Sequence, residues 1–233
     1  MDSFTFKNTS STSFEGLCVT SLPPITKPSM RTEEIKIDGR DGSIFRDLGY
    51  PTYKTTIDLV KIGDVDIEDL KSWLDGEGRL ILSNESDKYY NAKVIDGIDY
   101  SRFILYDKDK ITFLVQPYKY STTETVETFN ITNEEEITIT NSGNCNSKPK
   151  ITIYGSGTIN LSLNGVQLFV INLGEEEFVT IDIEKMEAYN NGILKNRLIT
   201  GNYDNFALLP GNNTISFTGT VTKIEIENYS RWL

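Results

Sequence analysis

A chain of 233 residues with 38% apolar content can bury one large core or two modest ones of about 100 residues each. Its 23 Lys and Arg are dispersed among 34 Asp and Glu, a net charge of −11 that argues against direct, sequence-specific nucleic-acid binding. It has no histidine, which excludes a Ser-His-Asp or Cys-His catalytic group and any His-ligated metal centre.

The opening residues Met1–Lys7 have no apolar core and no small-residue cleavage site, so no secretory signal is expected. No run approaches the roughly 18 apolar residues of a membrane span, and no membrane insertion is expected. Cys18 and Cys145 are too few and too far apart for a disulfide framework and are read as reduced thiols in a protein made in a cytosol.

In the first half, Glu33–Asp38 alternates as a strand, and Tyr53–Val60 is strand-like and β-branched. Asp66 is placed to cap a helix over Ile67–Leu74, with Ile67, Leu70, Trp73 and Leu74 on one face and Gly76 as its stop. Arg79–Ser83, the turn Asn84–Asp87 and Lys88–Ile95 read as a hairpin. A further strand, Ile111–Gln116, is expected to end at Pro117.

The charge then shifts. Residues 1–122 carry 16 Lys and Arg against 20 Asp and Glu, whereas residues 123–233 carry 7 against 14. The shift falls on the polar stretch Ser121–Thr128, and two domains, 1–122 and 123–233, are expected.

In the second half, strands are expected at Glu136–Thr140, Lys150–Tyr154, Thr158–Leu163, Gln167–Leu173 and Phe178–Ile183. Turns are placed at Asn141–Gly143, Gly155–Gly157 and the Asn164-Gly165 pair, a strong hairpin signal. Ile183–Tyr189 carries the only helix signal. Near the end, a turn at Pro210-Gly211 leads into alternation through Ile215 and Phe217. It breaks at Thr218–Thr220 and resumes with Val221, Ile224 and Ile226. This ending reads as the edge of a β-sandwich, and short strands punctuated by turns describe a sandwich as a whole.

Several features in fixed order carry a family resemblance. They are Ile37–Gly42, the single helix ending in Trp73-Leu74, Thr112–Tyr120, Lys148–Gly157, the Asn164-Gly165 hairpin, Thr180–Tyr189, Leu209–Asn213 and Arg231-Trp232. With these the chain resembles the distal tail proteins of siphophages that infect Gram-positive bacteria, across nearly its whole length. The resemblance implies a mainly β fold. Its N-terminal β-sandwich would carry one α-helix and an extended hairpin or belt, and a galectin-like β-sandwich would follow. It further implies a hexameric ring at the virion tail tip, assembled in the host cytoplasm and leaving a channel for DNA. That ring would join the tail tube and tape-measure protein to the tail-associated hub or lysin and so serve host attachment. Relatives that insert carbohydrate-binding modules need more room than the second half offers.

On this reading residues 37–53 form an arm to the neighbouring subunit, with Gly39, Arg40, Asp41, Gly42, Tyr50 and Tyr53 as the candidate inter-subunit set. The plain alternative for Gly39–Gly42 is a tight turn. Trp73 is read as core rather than a sugar platform. Tyr89-Tyr90 and Tyr118–Tyr120 are read as strand aromatics or interface anchors, and Glu134–Glu136 and Glu175–Glu177 as solvated turns. No catalytic, cofactor-binding or metal-ligating residue is assigned, and no cofactor is expected. The alternative function is a carbohydrate-binding or adhesion module for the bacterial surface. An Asp/Glu-pair glycosidase, which needs no histidine, is the third reading.

Overall fold

The computed structural model describes residues 2–95, 108–123, 126–133 and 135–233. Glu124 and Thr125 of the polar stretch, and Glu134 of the first acidic triplet, lie outside the described residues. The chain is mainly β and divides into two compact units, Met1–Thr122 (with Leu233) and Thr123–Trp232.

Unit 1 runs β1 (Phe4–Phe6), β2 (Thr9–Ser10), β3 (Leu17–Ser21), β4 (Thr32–Lys36), β5 (Ser43–Asp47), β6 (Tyr53–Lys61), α1 (Ile67–Trp73), β7 (Glu77–Leu82), β8 (Lys88–Val94) and β9 (Lys108–Ser121). Seven of these strands form one antiparallel sheet in the order β2-β1-β7-β8-β9-β6-β3. Period-2 alternation puts Leu80, Leu82, Ile111, Phe113, Val115, Ile57 and Leu59 on its inner face, all buried. The helix closes over that core. The Asp66 carboxylate accepts from the Glu68 and Asp69 amides at 2.8 and 3.2 Å, satisfying two amides the helix cannot bond itself. Leu70 and Trp73 then face inward. The Trp73 ring stacks on Phe14 and Phe4 at centroid distances of 4.6 and 5.1 Å, and its Nε1–H donates to the Phe6 carbonyl at 2.9 Å. Trp73 is core.

Strand β9 does not end at Pro117. Pairing jumps from Ala92↔Val115 to Tyr90↔Lys119, so Gln116, Pro117 and Tyr118 bulge opposite Asn91. On its other side, pairing with β6 stops at Tyr53↔Val115. Pro117 therefore sits in a bulge outside the ladders with β6 and β8, and a bulge is where a strand tolerates proline.

Unit 2 runs β10 (Val126–Asn130), β11 (Glu136–Asn141), β12 (Lys150–Leu163), β13 (Val166–Asn172), β14 (Phe178–Asp182), β15 (Glu187–Asn190), β16 (Ile193–Leu194), β17 (Ile199–Gly201) and β18 (Gly211–Glu227). The long strands β12 and β18 pair with each other throughout and change their outer partners halfway. The first half of β12 pairs with β14 and the second with β13; the first half of β18 pairs with β11 and the second with β10. Two layers thus share the same two strands. One core takes in Ile137 and Ile139 of β11, Phe169 and Ile171 of β13, Ile151 and Ile153 of β12, and Val179 and Ile181 of β14.

The corner between layers explains one departure from the sequence reading. Gly155–Gly157 is not a turn but an irregularity inside a continuous strand, and the break in alternation at Thr218–Thr220 falls on the facing irregularity of β18. A Cβ on Gly155 would lie 2.1 Å from the Thr220 carbonyl oxygen, and one on Gly219 would lie 2.4 Å from that of Thr158. Only glycine lets these backbones approach so closely. The ending is not an edge either, because β18 lies between β12 on one side and β10 and β11 on the other. Ile183–Tyr189 is not helical. The Asp182 carboxylate accepts from the Lys185 amide at 3.0 Å, Met186 has φ +57°, and Asp182 pairs with Glu187, so the segment turns and returns as β15. The Asn164-Gly165 signal is a two-residue hairpin joining β12 to β13, both residues at positive φ.

Candidate functional site

Strands β4 and β5 pair only with each other, forming a two-stranded sheet of their own. Apart from Ser43, every residue from Arg31 to Gly49 is exposed, and none belongs to the core of unit 1. The local sequence accounts for the hairpin. Its ladder runs in register from Thr32↔Asp47 to Lys36↔Ser43, and the Arg40 amide donates to the Ile37 carbonyl at 3.2 Å to close the tip. Gly39 and Gly42 supply φ +80° and +77° on either side of Arg40-Asp41. At the other end, the Leu48 amide donates to the Arg31 carbonyl at 2.8 Å and the Arg31 guanidinium donates to the Leu48 carbonyl at 2.9 Å.

The faces of this arm are unequal. One carries the opposed pair Ile35 and Ile44, with Glu33 opposite Arg46 at 3.8 Å. The other carries Phe45, 68% exposed, opposite Glu34, whose carboxylate accepts from Ser43 Oγ at 2.5 Å and lies 3.9 Å from Lys36. An isolated two-stranded hairpin is marginal in water, and exposed apolar side chains on it gain stability only when covered.

The six residues named from sequence do not form one cluster. Gly39, Arg40, Asp41 and Gly42 make the tip. Tyr50 and Tyr53 lie beyond its base and are held by unit 1 itself. Tyr50 packs edge-on against Tyr118 at 6.3 Å with the Lys27 ammonium 5.8 Å from its ring, and the Tyr53 hydroxyl bonds that of Tyr90. Burial raises both the Tyr53 and Tyr90 phenols above their ordinary value, and the nearby Glu85 carboxylate adds to the shift. Glu85 is in turn pinned by the buried Lys119 ammonium at 2.7 and 2.9 Å. The tyrosine pairs Tyr89–Tyr120 and Tyr50–Tyr118 are therefore contacts within the chain.

Sequence reasoning missed Ile35, Ile44 and Phe45. The signal was present as alternation through Ile35 and Ile37 before the tip and as the adjacent pair Ile44-Phe45 after it, but a strand pattern does not report what covers it.

In the second acidic triplet, Glu176 serves the fold. The Glu176 carboxylate accepts from Asn190 Nδ2 at 2.8 Å and pairs with Lys195, tying neighbouring segments of unit 2 together. Among the described residues no group of three or more His, Cys, Asp or Glu is placed to hold a metal ion, and no helix is long and apolar enough to cross a membrane.

No protein-family model matches the chain, and no curated protein matches its sequence. Its fold does match solved structures. The Dit protein of phage SPP1, described as a paradigm of the hub adsorption apparatus in phages infecting Gram-positive bacteria, superimposes with a TM-score of 0.73 at 16% identity. That match covers 98% of this chain and 99% of that one. A chain of the phage p2 baseplate in its activated conformation aligns with a TM-score of 0.49 at 11% identity, over 97% and 98% of the two chains.

Proposed function

We propose that the chain is a structural subunit of a phage tail tip that builds a ring from copies of itself. The observation that carries this reading is the β4–β5 arm, a well-formed hairpin that buries nothing on its own unit and presents Ile35, Ile44 and Phe45 to solvent. Covering such an arm with a different surface of an identical chain is a heterologous contact. Repeated by rotation, it closes into a ring. Likeness in fold to the SPP1 Dit protein supports the tail-tip setting, and six copies follow the family resemblance rather than the arm's geometry.

In this role unit 1 forms the ring and unit 2 rides on it as a galectin-like domain. The ring joins the tube and tape-measure side of the tail to a hub or lysin. A chain of net charge −11 suits a channel for DNA, because like charge keeps the polyanion from adhering to the wall. The role is geometric and calls for no catalytic group. Mass photometry and negative-stain electron microscopy of the purified chain, alone and with tail proteins, test it: closed rings are expected. Monomers at every concentration, with no ring beside tail proteins, overturn it.

A further inference from the structure

Two Asn-Gly pairs form hairpin tips in unit 2, and their surroundings differ. Asn164-Gly165 joins β12 to β13 with φ +50° and +82°, and Asn191-Gly192 joins β15 to β16 with φ +47° and +77°. In both, the residue after asparagine has no side chain to shield its amide, and a Cβ placed on it would meet nothing within 4 Å. Backbone conformation and access to the glycine are thus matched. What differs is the asparagine side chain.

Asn164 is tied down at both ends of its side-chain amide. Its Nδ2 donates to Asn213 Oδ1 at 3.0 Å, and its Oδ1 accepts from the Thr214 amide at 2.9 Å. The Asn164 backbone amide donates to the Thr214 carbonyl at 2.8 Å, and the strands it joins share a ladder of six residue pairs. Asn191 is exposed, and its side chain makes no hydrogen bond among the described residues. Its hairpin has two pairs, Tyr189↔Leu194 and Asn190↔Ile193, and β16 ends the strand order of its sheet. Ile193 and Leu194 are 64% and 60% exposed, so little burial holds the turn closed and it opens at small cost.

We infer that Asn191 is a self-modification site, at which the chain deamidates and rearranges its own backbone. When the turn opens, the Gly192 amide nitrogen gives its proton to solvent and attacks the Asn191 side-chain carbonyl carbon. The new N–Cγ bond closes a five-membered succinimide ring. The Cγ–Nδ2 bond breaks, and the nitrogen takes a proton from water and leaves as ammonia. Water then adds to one of the two ring carbonyls. One opening gives aspartate; the other gives isoaspartate, whose main chain is longer by one methylene. Nothing is oxidised or reduced, and water is the sole co-reactant. Either product adds a negative charge to a chain already at −11. Isoaspartate does not fit a two-residue turn, so β16 loses its register on β15. Asn164, with its amide engaged at both ends, is spared.

Ageing the purified chain in mildly alkaline buffer and mapping its peptides by mass spectrometry tests this. In the folded chain, Asn191 is expected to convert at least tenfold faster than Asn164, with isoaspartate at 191 identified by fragmentation. In concentrated urea the two sites should convert at similar rates, because unfolding releases Asn164 and leaves two equivalent Asn-Gly pairs. If Asn164 keeps pace with Asn191 in the folded chain, the side-chain lock is irrelevant and the inference is wrong. If both convert in urea and neither does when folded, the β15–β16 turn stays closed, and the inference is equally wrong. A difference that persists in urea belongs to the neighbouring sequence rather than to the fold, and overturns it too.

Discussion

Ile35 lies directly opposite Ile44 in the β4–β5 ladder, and the two are 40% and 39% exposed. In any other strand pair of unit 1 such an opposed couple would face the core. Here it faces outward on a hairpin that packs on nothing else in its unit. Fully burying an aliphatic side chain is worth about 1.5–3 kcal/mol, so each of the two carries energy that the single chain leaves unused.

Replacing both with serine should therefore separate assembly from folding. Ile35→Ser/Ile44→Ser is expected to raise the subunit dissociation constant by one to two orders of magnitude, about 1.4 kcal/mol per factor of ten. The unfolding free energy of the monomer, from urea titration, should move by no more than about 0.5 kcal/mol, as for other surface positions. Sedimentation and urea titration on the same preparation read the two effects. A large loss of monomer stability would mean that the arm is part of the unit's own fold.

The corner of unit 2 gives a second contrast, between glycines two residues apart. Gly155→Ala drives a Cβ to within 2.1 Å of the Thr220 carbonyl, a backbone atom that cannot rotate away, and should cost about 3 kcal/mol. Gly157→Ala meets nothing within 4 Å and suffers only from its φ of +71°, about 1 kcal/mol. Urea unfolding of the two variants should rank them in that order. The reverse order would mean that β12 does not bend where the structure bends it.

A third prediction concerns acid. Burial pushes the Glu227 carboxyl upward, but the Tyr229 hydroxyl and the Lys150 ammonium, 3.0 Å away, outweigh it, so Glu227 sits below the usual carboxylate range. A depressed folded value stabilises above the unfolded value of about 4.3 and loses that contribution as pH falls through the folded one. Glu227→Gln should thus be less stable than wild type at pH 7, with the gap closing below about pH 4. Stability measured by urea at pH 7, 5 and 3 checks this. A gap that widens on acidification would show the sign to be wrong.

What could be read from the chain itself was local. Asp66 ahead of Ile67, Leu70 and Trp73 specified a capped helix, because the cap and the apolar stripe lie within eight residues of one another. Asn164-Gly165 specified a hairpin because both residues tolerate positive φ. The alternation through Ile215, Phe217, Ile224 and Ile226 specified an inward face, since neighbouring strand residues point to opposite sides.

The misreadings share a cause. Gly155–Gly157 looked like a turn because its reason for being glycine, the Thr220 carbonyl, lies far along the chain. Pro117 looked like a stop because its tolerance depends on the register of β8 and on where β6 leaves off. The ending looked like an edge because strands β10 and β11, which flank β18, come from much earlier in the sequence.

For the arm the division is sharpest. Residue order by itself indicated the Glu33–Asp38 strand and a glycine-flanked turn after it, because alternation and turn chemistry depend on neighbours; the pairing of Thr32–Lys36 with Ser43–Asp47 came from the structure. Only the tertiary structure decided that the pair stands uncovered, with Ile35, Ile44 and Phe45 in solvent. Burial depends on every other element of the chain, and here none of them packs against the arm within its unit.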